Sequence, residues 1–285
     1  MKKKGGLRTK GILKSGDATH PLVSIITVVY NGEKHIKDTI QSVQQQTYSP
    51  IEYIIIDGGS KDNTLTIIEK HEGSIDYWVS EPDKGISDGF NKGIQACRGE
   101  IVGIINSDDW YERDAVEKIV KNIGDNDVAY GKIVYWRHNK IDKVSPANHT
   151  LLPREMSVNH MAVFVRKTAY EKWGSFDTAL KYAMDYDLLL RFFLGGATYV
   201  YIDAIIANMR WGGLSDNLWI SAVKEVHAIK LKNKLPKTFA WFYTLKIFLF
   251  ISGSKLMNVL KIRKPYLRLK QILQAKQVDN MYEES

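Results

Sequence analysis

Residues 22–29, LVSIITVV, form a short and nearly continuous apolar run that gives way at once to the polar YNGE of 30–33. Such a run suits a strand buried on both faces of a parallel sheet. Two further runs of the same kind follow, IEYIIID at 51–57 and EIVGIIN at 100–106. Helix-length stretches at 33–46, 62–71 and 87–96 alternate with them. Strand, helix and strand repeated in this order predict an α/β layered domain with right-handed crossovers. Later, MAVFVRK from Met161 reads as another strand, and DYDLLLRFF from Asp185 opens a helix. In open sheets of this type ligands gather at the carboxyl ends of the strands. The polar motifs fall there: YNGE after the first run, DGGSKDNT at the end of the second, NSDDWY at the end of the third.

The chain has 285 residues, enough for one large domain with an appendage. Its formal charge of +8 invites a nucleic-acid partner, so the distribution of that charge matters. Residues 1–20 carry six Lys/Arg and one acid, and 221–276 carry thirteen and one. Residues 277–285 carry three acids and no base. The middle, 21–220, keeps 21 basic against 27 acidic residues, the reverse of what a nucleic-acid groove requires. The expected organisation is a basic, flexible segment at 1–20, an acidic α/β domain at 21–215, a basic and aromatic helical extension at 216–276, and an acidic tail at 277–285. Cys97 is the lone cysteine, which fits a reducing compartment. MKKKGGLRTKGILKSGD lacks the apolar stretch of a secretory signal, so a cytoplasmic protein is expected.

Within the extension, TFAWFYTLKIFLFI from Thr238 is strongly apolar, interrupted by Lys246, and short of the roughly 20 apolar residues of a membrane span. Aromatic residues flanked by lysines suit the headgroup boundary of an anionic inner leaflet, so peripheral membrane attachment is expected. The alternative is a helix packed on protein.

Three acidic constellations carry chemistry. Asp57 stands where the second strand stops, followed by Gly58 and Gly59, which let a ligand edge approach; equally, Asp57 and Ser60 can cap the next helix. Asp108 and Asp109 emerge together at the third strand end and suit a hard divalent cation, Mn²⁺ or Mg²⁺, although NSDD is also a turn sequence. Asp185 and Asp187 open a helix, where the helix dipole favours acids, and either could serve as a general base.

Taken together, VSIITVVYNGEKHIKDTIQSVQQQTY, IEYIIIDGGSKDNT, EPDKGISDGFNKGI, GEIVGIINSDDWY, NHMAVFVRKTAYEKWGSFD and MDYDLLLRF resemble, in order and spacing, the family 2 glycosyltransferases over roughly residues 21–215. The closest likeness is to bacterial enzymes that build capsule, O-antigen and exopolysaccharide. The resemblance implies a GT-A fold, Rossmann-like, with a mixed and mainly parallel sheet flanked by helices. It implies a nucleoside-diphosphate sugar donor, with UDP expected, and inverting transfer to a glycan hydroxyl, with a lipid-linked acceptor expected. By the same resemblance Asp57 contacts the base, Asp108 the ribose, and Asp109 holds the metal. Asp88, Asn91 and Lys92 line the nucleotide pocket, with Asp83 and Lys84 on its approach, and Thr27, Tyr30 and Glu33 complete its wall. Asp185 is the catalytic base, Arg210 lies near the pyrophosphate, and His160, Asp187 and Trp211 lie toward the acceptor. Two positions depart from the family pattern: Met184 stands where many members carry Glu, and Ser107 takes the first position of the metal triplet.

Two other functions compete. A nucleotidyltransferase also joins an α/β nucleotide site to a metal, but needs a Gly-rich phosphate loop that YNGEKH does not supply. A non-catalytic basic scaffold for RNA or membrane has the net charge in its favour and the acidic middle against it.

Overall fold

The computed structural model describes residues 2–211 and 219–259. Residues 212–215 of the RWGGLS motif, the end of the extension and the acidic tail lie outside the described residues. The chain forms two compact units, residues 1–229 and 230–285.

In chain order the elements are β1 (Lys3–Gly5), β2 (Val23–Val29), α1 (Ile36–Gln44), β3 (Ile51–Asp57), α2 (Thr64–Lys70), β4 (Tyr77–Ser80), α3 (Ile86–Ala96), β5 (Ile101–Asn106), β6 (Trp110–Tyr111) and α4 (Ala115–Ile123). There follow β7 (Val128–Arg137), β8 (Lys140–Ser145), β9 (Val163–Arg166), α5 (Lys167–Trp173), α6 (Met184–Leu194), β10 (Tyr199–Arg210), α7 (Trp219–Lys232) and α8 (Lys237–Val259). The strands form one mixed sheet in the order β1-β4-β3-β2-β5-β9-β7-β10-β6, with β8 beside β7. β4, β3, β2 and β5 are mutually parallel, as the three apolar runs predict, so their carboxyl ends share one edge. β9 runs antiparallel between β5 and β7, and β7 pairs in parallel with β10. The sheet is thus a parallel half and a mixed half, the GT-A arrangement.

The central strands are buried because helices cover both faces. Ile25, Tyr53, Ile55, Ile101 and Ile105 pack beneath Ile36, Ile40, Ile68 and Ile119 in one core. On the other face α3 lies hard against β2, since a Cβ at Gly89 or Gly93 would sit 2.6 or 2.5 Å from Val28 or Ile26. Glycine at these two positions sets how closely helix and sheet approach.

Residues 1–20 do not form the free basic segment that their composition predicts. β1 joins the sheet antiparallel to β4. Arg8 pairs with the buried Glu52, and Lys14 donates to the buried Asp76 at 2.8 Å. Buried carboxylates need partners, and the basic residues of this segment supply them. The first unit also extends beyond the expected boundary at 215, and Glu225 of α7 ties into it by accepting hydrogen bonds from the Lys181, Tyr182 and Ala183 amides.

Candidate active site

Two loops at the parallel strand tips are laced together by side chain to backbone hydrogen bonds. Asn31 N–H donates to Ser60 Oγ, Gly32 N–H to Thr64 Oγ1, and Glu33 N–H to Asp62 Oδ2, at 2.8 to 3.1 Å. Glu33 answers with its own carboxylate, accepting from the Asn63 amide and side chain at 2.9 and 2.8 Å. Glu33 therefore fastens the loops, while Tyr30 projects at the tip of β2, 60% exposed.

Asp57 is 1% exposed and accepts from the Ser60 amide and from the hydroxyls of Ser60 and Ser80. Both carboxylate oxygens are engaged by its own turn and by Ser80, which does not fit contact with a base; nor does Asp57 cap the next helix, since α2 begins at Thr64 behind Asn63. Thr27 is likewise wholly buried, its hydroxyl 3.1 Å from Tyr53 Oη inside the sheet, so it forms no pocket wall. Asn91 exchanges two hydrogen bonds with the Phe176 backbone, at 2.8 and 2.9 Å, and joins α3 to the segment before α6 in place of lining a nucleotide. Asp88 and Lys92 pair at 3.2 Å, and Lys92 also reaches Glu81 at 3.4 Å. The carboxyl of Asp88 is held below its ordinary range by the Lys84 amide and by Lys92. Both side chains lie near the tip of β4 with their charges already answered.

At the tip of β5 the adjacent acids separate. Asp109 is 1% exposed, its Oδ1 accepting from the Arg210 amide at 2.9 Å and its Oδ2 from Asn106 Nδ2 at 3.2 Å. Burial, then the nearby Asp108 charge, pushes its carboxyl up to about 8 against the pull of those donors. With both oxygens engaged inside the protein, Asp109 does not fit the metal role. Asp108 is half-buried and makes no side-chain hydrogen bond or ion pair among the described residues, so its carboxylate is open to a cation. One open carboxylate suits Mg²⁺ or Mn²⁺, which take one or two protein oxygens and complete their shell with water and phosphate. Among the described residues no group of three or more His, Cys, Asp or Glu forms a self-sufficient metal cluster. Arg210 folds over Trp110, 4.4 Å from the ring centre, donates to the Asp108 carbonyl and pairs with Asp38 at 2.8 Å. It thereby puts a fixed positive charge beside Asp108.

Opposite, Asp185 and Asp187 are distinguished by burial. Asp187 is wholly buried and holds Arg191 at 2.8 Å, whose guanidinium in turn binds the carbonyls of Trp173 and Ser175 at the end of α5. It therefore lies away from an acceptor. Asp185 is 23% exposed, with Oδ1 accepting from the Tyr186 amide at 2.8 Å and Oδ2 lying 3.3 Å from His160 Nδ1. The other ring nitrogen of His160 is 3.4 Å from Asn106 Oδ1, and Phe90 packs on the ring at 5.9 Å. Asn106 and His160 thus connect the acids at the β5 tip to the acid at the start of α6. Asn106 escaped the sequence reading, although its place directly before Ser107-Asp108 completes a triplet with a polar first residue. Trp211 packs at a tilt against Tyr135, ring centres 5.0 Å apart, and donates to Asp142, while Tyr135 Oη meets Asn159, the residue before His160.

The fold thus sets acids at the tips of parallel strands and links those at the end of β5, through Asn106 and His160, to Asp185 at the start of α6. The family described as glycosyl transferase family 2 matches residues 24–184. The chain belongs to that family. It is 30% identical over 228 residues to an uncharacterized glycosyltransferase of Rickettsia typhi, covering 73% of this chain and 70% of that one. It is 31% identical over 183 residues to chondroitin synthase of Escherichia coli, covering 60% of this chain but 26% of the synthase. In fold it is similar to S. aureus TarS 1–349 in complex with UDP-GlcNAc, with a TM-score of 0.62 and 17% identity over 79% of this chain and 71% of that one. The mannosyltransferase PcManGT of Pyrobaculum calidifontis, in complex with GDP-Man and Mn²⁺, gives 0.61 and 17% over 83% and 72%.

Proposed function

We propose that this chain transfers a sugar, with inversion, from a uridine-diphosphate sugar to a hydroxyl of a lipid-linked glycan acceptor during surface-polysaccharide assembly. The observation that carries this reading is the Asn106–His160–Asp185 connection, which sets a partly exposed carboxylate facing the tip of β5. Asp185 takes the acceptor proton as the acceptor oxygen attacks the anomeric carbon, and the bonding pair of the breaking C–O bond leaves with the diphosphate. His160, with Nδ1 3.3 Å from Asp185 Oδ2, holds the base in place. Asp108 is the ligand proposed for Mn²⁺ or Mg²⁺, a cation that would offset charge on the departing diphosphate, and Arg210 adds a fixed positive charge. UDP and UDP-GlcNAc complexes of TarS support the uridine donor, and the Mn²⁺ complex of PcManGT supports the cation.

For attachment to the inner membrane face, α8 presents Trp241, Phe242, Leu245 and Leu249 to solvent at helical spacing, with Lys237 and Lys246 exposed nearby. Among the described residues no helix is long and apolar enough to cross a membrane.

Calorimetry with UDP and Mn²⁺, run beside a donor-turnover assay, tests the roles. Asp185→Asn is expected to lower turnover by about 10²- to 10⁴-fold while leaving UDP affinity within twofold. Asp108→Asn is expected to remove the Mn²⁺-dependent part of UDP binding. Near-normal turnover in Asp185→Asn would overturn the assignment of the base.

A further inference from the structure

Since Asp57 is turned into its own loop, an acid for the nucleobase must come from elsewhere if the pocket has one. Strand register narrows the search. Val29 pairs with Asp57, and Asp57 with Ser80, so Tyr30, Gly58 and Glu81 lie side by side at the next level above the sheet edge. Gly58 and Gly59 contribute no side chain to that level, leaving a floor with the exposed ring of Tyr30 beside it. On the other side Asp83 leans over the floor: a Cβ at Gly58 would lie 2.6 Å from Asp83 Oδ2. The Asp83 carboxylate therefore fills the space that a side chain at 58 would occupy. Its Oδ1 accepts from the Gly85 amide at 2.9 Å, which fixes its direction. Its Oδ2 makes no hydrogen bond or ion pair among the described residues and is left to accept from a ligand.

We infer that Asp83, seated over Gly58 beside Tyr30, reads the nucleobase of the donor through Oδ2 and selects uracil. This rests on the proposed nucleoside-diphosphate site. One free carboxylate oxygen complements the single imide N–H of uracil. Guanine presents two donors on the same edge, and cytosine presents an unprotonated ring nitrogen that a carboxylate repels. Tyr30 offers a face on which a base can stack, and the absence of a side chain at Gly58 makes room for the Asp83 carboxylate beside it. The choice of base is then made from the β4–α3 loop instead of from the end of β3.

The experiment is calorimetry with UDP, CDP and GDP in Mn²⁺ on the full chain. Asp83→Ala should weaken UDP binding at least tenfold. Asp83→Asn keeps an oxygen for the Gly85 amide and turns a donor toward the slot, so the ratio of UDP to CDP affinity should fall at least tenfold. In an Asp83→Ala background, Gly58→Asp returns a carboxylate to the same space and should restore most of the lost UDP affinity. A purely structural Asp83 would produce neither the switch nor the rescue. UDP affinity within twofold of wild type in both Asp83 variants, with an unchanged UDP to CDP ratio, overturns the inference alone. Tighter binding of GDP than UDP by the wild-type chain overturns the choice of uracil. No binding of any of the three by wild type overturns the proposed function and this inference with it.

Discussion

Asp109 and Asp187 each stand beside an acid proposed for chemistry, and in both pairs burial divides the work. One member is partly exposed, whereas the buried member organises its surroundings. Asp109→Ala removes the acceptor of the Arg210 amide and of Asn106 Nδ2, so a loss of about 2 kcal/mol in stability is expected, read as a lower melting temperature. Asp187→Ala deprives the partly buried Arg191 of its carboxylate and is expected to cost about 3 kcal/mol in the same assay. Denaturation midpoints unchanged in both variants would overturn the structural assignment. Cys97 gives a pH-dependent prediction. Burial pushes its thiol from the ordinary 9.0 up to about 12, so the folded protein retains a proton that the unfolded chain releases. That contribution to stability is complete below about pH 9 and is lost as pH rises toward 12. Melting temperature should fall over that interval, less steeply in Cys97→Ala, and native protein at pH 8 should resist iodoacetamide until denatured.

At the scale of elements, the start of α6 carries the proposed base and is positioned from two sides. Asn91 of α3 hooks the backbone at Phe176, and Glu225 of α7 binds three consecutive amides at 181–183. Amides just before a helix lack intrahelical acceptors, so one carboxylate that satisfies three of them sets where the helix begins. Glu225→Ala is therefore expected to lower kcat about tenfold or more by shifting Asp185, with UDP affinity measured by calorimetry unchanged. An equal loss of UDP affinity would assign Glu225 to general folding. The same dependence explains why the unit does not end near 215: α7 contributes to it through Glu225.

For the whole molecule, the distribution of charge separates two tasks. Part of the basicity at the N-terminus, that of Arg8 and Lys14, answers buried acids of the sheet and is not available to a polyanion. The basicity after residue 220 accompanies the exposed apolar side chains of α8. Sedimentation with vesicles containing anionic lipid is expected to pellet the full chain at low salt and to release it as salt rises. Trp241→Ser with Phe242→Ser should abolish pelleting while leaving turnover on a soluble acceptor intact. Failure of the full chain to pellet would overturn the membrane proposal.

The apolar runs at 22–29, 51–57 and 100–106 determined the parallel half of the sheet and the edge on which the polar motifs gather, because a strand buried on both faces must be apolar along its whole length. The strand β8, by contrast, is almost wholly exposed, and β1 is three residues long, so neither leaves a periodic signal. The residue types of the site were legible too: acids at strand tips, and an acid at a helix start. Which acid of each neighbouring pair stays partly exposed was not, since Asp108 and Asp109, or Asp185 and Asp187, are chemically alike in a linear chain. That choice is made by contacts across the fold, from Arg210 for Asp109, from Arg191 and the end of α5 for Asp187, and from Gly58 beneath Asp83. Local sequence decides what a side chain can do; burial and long-range partners decide whether it is free to do it.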